Sequence, residues 1–220
     1  MEKLKRYLIF FVGLFINSLG VALITKAHLG TSPISSIPYV LSLDFSLTLG
    51  QFTIIFSVFL ILLQIIILRK NFRLEDLLQI PISIFFGYFI DLSMNLLHTI
   101  NPKLYTAKAA CLLIGCLILG FGVYTEVLAN VAMLPGESFV RAIVATWNTD
   151  FGKTKIAFDV TMAVSAAIMS FFFFHELNGI REGTIIAALL VGFIARFFGK
   201  QLAAIENLLF EREETVIEEQ

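Results

Sequence analysis

A unit repeats within this chain at a spacing of 102 residues. Gly20, Pro33, Ser36, Gly50 and Phe56 return as Gly122, Pro135, Ser138, Gly152 and Phe158, with no gap between them. One constant spacing across breakers, a hydroxyl and an aromatic divides the chain into two equivalent halves. Any fold must then be assembled twice from one plan. In a membrane, duplicated units with interrupted hydrophobic segments place a solute site where the repeats meet.

The membrane itself follows from composition. Of the 220 residues, 58% are hydrophobic and 15% are charged, whereas a soluble domain carries about a quarter charged residues. The net charge of −1 says nothing about nucleic acid, but no basic stripe with interleaved aromatics appears, so nucleic acid is not expected as a partner. The first apolar run follows Lys3, Lys5 and Arg6 but has no small-x-small cleavage site before Lys26, so it reads as a retained span. Cys111 and Cys116 lie five apart inside an apolar run, wrong for a metal or disulfide pair on one helix face, and read as structural thiols.

Six stretches are long enough to cross the bilayer: 6–25, 50–69, 77–98, 108–129, 153–175 and 182–204. Two more, 33–43 and 136–147, are apolar but short. As helices they cover only about 16–18 Å, roughly half the hydrocarbon core. Each follows a breaker, Gly30-Thr31-Ser32-Pro33 or Leu134-Pro135-Gly136. A proline at the first helical position marks a helix start, so both read as re-entrant half-helices. The expected fold is all-α, six transmembrane helices plus two half-helices in two inverted repeats. Repeat 1 covers 1–100, repeat 2 covers 101–205, and 206–220 form an acidic tail.

Charge sets the orientation. With the N-terminus inside, twelve of the 16 Lys and Arg residues fall on the cytoplasmic side, leaving Lys26, Lys103, Lys108 and Arg181 outside. Letting the short helices cross would put Arg69, Lys70 and Arg73 outside and weaken the bias. Both termini, including the tail, are therefore expected in the cytoplasm.

The segment Gly20-Val21-Ala22-Leu23 through Ala27-His28-Leu29-Gly30-Thr31-Ser32-Pro33, followed by Ile37-Pro38-Tyr39, resembles the signature of the YczE/YitT-like bacterial integral membrane proteins. The L-G-T-S-P element is the specific part, and the resemblance is closest to the YczE branch. It implies a polytopic protein of the bacterial inner membrane and supplies no substrate or catalytic residues. Some members are associated with regulating peptide-antibiotic production, which implies a non-transport alternative.

The half-helix starts are the foremost candidates for chemistry. A helix N-terminus presents unpaired N–H groups and about half a positive charge, and inside a membrane those donors need partners. Thr31, Ser32, Ser35 and Ser36 surround the first start; Gly136, Glu137 and Ser138 surround the second, with Arg141 one turn on. Solute contact competes with self-capping by Thr31 or Ser32, and Glu137 and Arg141 are spaced to pair. Glu126, late in a span and directly before a breaker, is the candidate for proton or cation coupling. Asp91 and Arg196 match in Gly87-Tyr88-Phe89-Ile90-Asp91 and Gly192-Phe193-Ile194-Ala195-Arg196, and inversion puts each at one gate. Asp159 can pair with Lys155 or Arg196. His28, at the outer mouth, is a weaker candidate for sensing pH.

No metal-ligand pattern, nucleotide loop or nucleophile elbow appears, so neither enzyme activity nor a cofactor is expected. The favoured function is a small secondary transporter or channel for an organic or anionic metabolite, with H+ or Na+ as coupling ion. The alternatives are a membrane regulator or scaffold acting through a protein partner, and a substrate-binding subunit of a larger transporter. A homo-oligomer fits any of these.

Overall fold

The computed structural model describes residues 2–202, so the acidic tail at 206–220 lies outside the described residues. The long helices are α1 (Glu2–Lys26), α3 (Leu49–Leu68), α4 (Gln79–Leu96), α5 (Tyr105–Ala129), α7 (Phe151–Phe174) and α8 (Glu182–Gln201). Six helices are long and apolar enough to cross a membrane, matching the six expected spans to within a few residues. The short helices are α2 (Ser36–Asp44), entered through a 3-10 turn at Pro33–Ser35, and α6 (Pro135–Trp147). No strand occurs among the described residues. The protein is an all-α membrane protein.

Local chemistry explains the breaks. Thr48 caps α3 by accepting from the Gln51 N–H at 3.1 Å, while the Gln51 side chain accepts from the Thr48 N–H at 3.0 Å. Asn130, Asn148 and His175 end α5, α6 and α7 in the left-handed conformation. Gly30, at φ +119°, turns the chain after α1. There the Leu29 carbonyl accepts the Gly183 N–H at 2.8 Å, and the Thr31 N–H donates to Thr184 Oγ1 at 3.2 Å. The loop is thereby fastened to the start of α8.

α1 and α5 form the centre. Their most apolar stretches are 61% and 50% buried, against 17% for α7 and 22% for α8, so the last two helices lie at the periphery. Phe10, Leu14, Val21 and Ile24 pack with Leu112, Cys116 and Leu119 in the main core. Glycines let the two backbones touch. A Cβ on Gly20 would lie 2.6 Å from the Leu119 Cα, and one on Gly122 would lie 2.5 Å from the Asn17 nitrogen. Gly13 meets Glu126 and Gly115 meets Ile24 in the same manner. Close approach through small residues is how membrane helices gain dispersion contacts where lipid offers no hydrophobic drive.

The remaining pairings come in sets. α1 packs on α4 as α5 does on α8; α3 packs on α6 as α7 does on α2; and α2 meets α3 as α6 meets α7. One pairing has no counterpart of its own strength: α3 and α4 pack closely, while α7 and α8 do not. Both cysteines are free thiols.

Candidate functional site

The two short helices meet at their starts. The tip of the Ile34 side chain sits where a Cβ on Gly136 would project, so the two starts are in direct contact. Beside this contact lies a cavity of about 420 Å³, within the size range of small-molecule sites. One wall is built by Ser32, Pro33, Ile34 and Ser35, another by Leu134, Pro135, Gly136 and Glu137. Asn17 of α1 and Thr53 and Ser57 of α3 add polar groups, and α7 contributes Lys155 and Asp159. Phe56, Leu60, Phe86 and Phe193 make much of the rest apolar, and Arg196 of α8 borders it.

The four hydroxyls of the first start divide into two pairs. Ser32 and Ser35 line the cavity, with the Ser32 hydroxyl donating to Ser35 Oγ at 2.8 Å. Thr31 and Ser36 turn inward: Thr31 bonds Thr25 at 2.8 Å, and the Ser36 hydroxyl donates to the Ser32 carbonyl at 3.1 Å. The self-capping that competes with solute contact at this start is not made: Ser32, at the N-cap, has no side-chain cap bond, and the chain enters through a 3-10 turn.

The second start is held by residues that sequence reasoning missed. Gln64, buried in α3, donates to the Pro135 carbonyl at 3.1 Å, and Gln79 donates to Ser138 Oγ at 3.0 Å. The two glutamines also bond each other at 3.3 Å. Ser138 is thus a structural partner and does not line the cavity. A lone glutamine inside the apolar run 58–68 was the available signal, since a buried amide needs partners. Glu137 lines the cavity, but the expected ion pair with Arg141 does not form among the described residues. Arg141 is exposed on the outside of α6.

Glu126 is buried at 7% exposure and accepts from the Asn17 amide at 2.8 Å. Asn17 itself lines the cavity, so this carboxylate sits one side chain behind the wall. Asp159 pairs with Lys155, whose ammonium also lies 5.6 Å from the Phe158 ring centroid. Of the two partners expected for Asp159, the one on its own helix is used. Asp91 stands apart from the cavity: its carboxylate accepts from Thr48 Oγ1 at 2.6 Å and from the Gly50 N–H at 2.9 Å. Arg196 is exposed and has no bonded partner among the described residues. His28 is exposed in the loop after α1, and partial burial with Lys108 and Lys26 nearby lowers its pKa below the usual imidazole value.

Residues 4–200 match a family of unknown function, DUF6198. The chain is 28% identical over 214 residues to the uncharacterized membrane protein YczE of Bacillus subtilis (strain 168), covering 96% of this chain and 93% of that one. It is likewise 28% identical over 194 residues to the uncharacterized protein YyaS of the same organism, covering 88% and 92%. No solved structure matches the chain.

Proposed function

The chain belongs to the DUF6198 family, and we propose that it is a small secondary transporter for an organic or anionic metabolite. The observation that carries this reading is the meeting of two short-helix starts beside one cavity, Ile34 against Gly136. Two inverted repeats, 1–100 and 101–205, would generate that meeting. The paired glycine contacts support such an exchange: adding 102 carries Gly20 to Gly122 and Asn17 to Leu119, so Gly20–Leu119 and Gly122–Asn17 are one contact made twice. The short helices then enter and leave on one side, with both termini in the cytoplasm of a bacterial cell, as the Lys and Arg distribution favours.

The largely apolar lining with a few charged groups suits a solute with an apolar body and one or two charged ends. Ser32 and Ser35 offer hydroxyls, and Glu137 offers an acceptor. Glu126, behind Asn17, serves as the carboxylate that couples H+ or Na+ to solute movement. Rocking one half against the other alternates access.

A thermal-shift screen of the purified protein against metabolite pools tests the reading. A solute at about 100 times its Kd stabilises a single-site protein by ~2.7 kcal/mol, a shift of several degrees. Ser35→Ala and Glu137→Gln should abolish that shift while leaving the unliganded melt nearly unchanged. Absence of any stabilising pool would sink the transporter and favour a scaffold.

A further inference from the structure

In the first half, the gap between α3 and α4 is shut by a small set of residues. The Thr48 hydroxyl caps α3 and, at 2.6 Å, also donates to Asp91 of α4. The second Asp91 oxygen accepts the Gly50 N–H at 2.9 Å. Gly50 and Gly87 let the helices touch: a Cβ on Gly87 would lie 2.6 Å from the Gly50 carbonyl oxygen.

The same positions in the second half stand open. Adding 102 carries Thr48 to Asp150 and Gly50 to Gly152, and the motif match carries Gly87 to Gly192 and Asp91 to Arg196. A side chain on Gly192 would meet nothing within 4 Å, and one on Gly152 would meet only Asp150 Oδ1 at 3.3 Å. Gly152, Gly192 and Arg196 border the cavity instead of each other. A glycine packed against no neighbour forgoes the close approach that favours it in a membrane helix.

Resting on the two-half reading above, we infer that α7 and α8 close onto each other in a second state, with Asp150 and Arg196 as the latch. Asp150 already caps α7 by accepting the Lys153 N–H at 2.9 Å through one oxygen. Its other oxygen has no partner among the described residues, so capping and latching are compatible, as they are at Thr48. Closure seats Gly152 against Gly192 and joins opposite charges where the first half joins a hydroxyl to a carboxylate. The structure is then the state closed between α3 and α4 and open between α7 and α8. In the N-inside topology the open end faces the cytoplasm.

Disulfide trapping in native membranes tests this, using the full chain with Cys111→Ser and Cys116→Ala. In the pair Gly152→Cys and Gly192→Cys, the second side chain meets nothing within 4 Å and the first approaches only Asp150 Oδ1, at 3.3 Å. It should form an intramolecular disulfide with copper phenanthroline. Arg196→Asp, which sets like charges at the latch, should lower the yield about tenfold, and adding Asp150→Arg should restore it. The inference is overturned if the pair fails to link while Thr48→Cys with Asp91→Cys links. Disulfides joining two copies, or a yield indifferent to Arg196→Asp, overturn it equally. Trapping needs no solute, so its failure is distinct from failure of the metabolite screen.

Discussion

Asn17 and Glu126 make the most consequential side-chain contact, because a buried carboxylate with one strong donor depends on that donor. Removing one partner of a buried bond leaves the other unsatisfied at about 1–3 kcal/mol, whereas replacing both by apolar groups can be nearly neutral. Asn17→Leu should therefore lower the melting temperature in detergent, and Asn17→Leu with Glu126→Leu should recover most of the loss. A double variant no better than the single would show that the bond is not the source of stability. Glu126→Gln keeps an acceptor for Asn17 and removes the titratable proton. Once a solute is found, its accumulation should lose pH dependence in that variant while exchange continues; an unchanged pH profile would make Glu126 a structural partner only. Sequence reasoning picked out Glu126 from its place before the breaker, but not Asn17 as its partner. The two residues are 109 positions apart, and no local spacing connects them.

Among the elements, the contrast between glycines is the sharpest check on the packing. At Gly122 a methyl would press on the Asn17 backbone, while at Gly192 it would meet nothing. Overpacking a tight core costs about 1–3 kcal/mol. Gly122→Ala should thus lower the melting temperature, and Gly20→Ala should do so by a similar amount, while Gly192→Ala should be silent in the open state. Equal effects at all three would contradict the central crossing of α1 and α5. The short helices were legible in advance because Pro33 and Pro135 interrupt the apolar pattern at positions where a helix can begin. Their caps were not. Which of four neighbouring hydroxyls bonds to what depends on Thr25 and on the 3-10 entry, and the second start depends on Gln64 and Gln79 from other helices.

For the whole molecule, the decisive measurement is sidedness. Single cysteines at Ser46 and Thr149, each just beyond a short helix, should label with an impermeant maleimide from opposite sides, Ser46 outside and Thr149 inside. Labelling of both from one side would exclude the inverted arrangement. Membrane residence, the number of spans and the two short helices could be read from residues alone, because hydrophobic length and proline placement are local properties. So could the 102-residue spacing, which compares the chain only with itself. Which residues share the cavity was decided by tertiary structure. Ser32 and Glu137 line it while Thr31, Ser138 and Arg141, their near neighbours, do not. The helical twist turns adjacent residues to different surroundings, and only the packing of the long helices around the short ones decides which of those surroundings is the cavity.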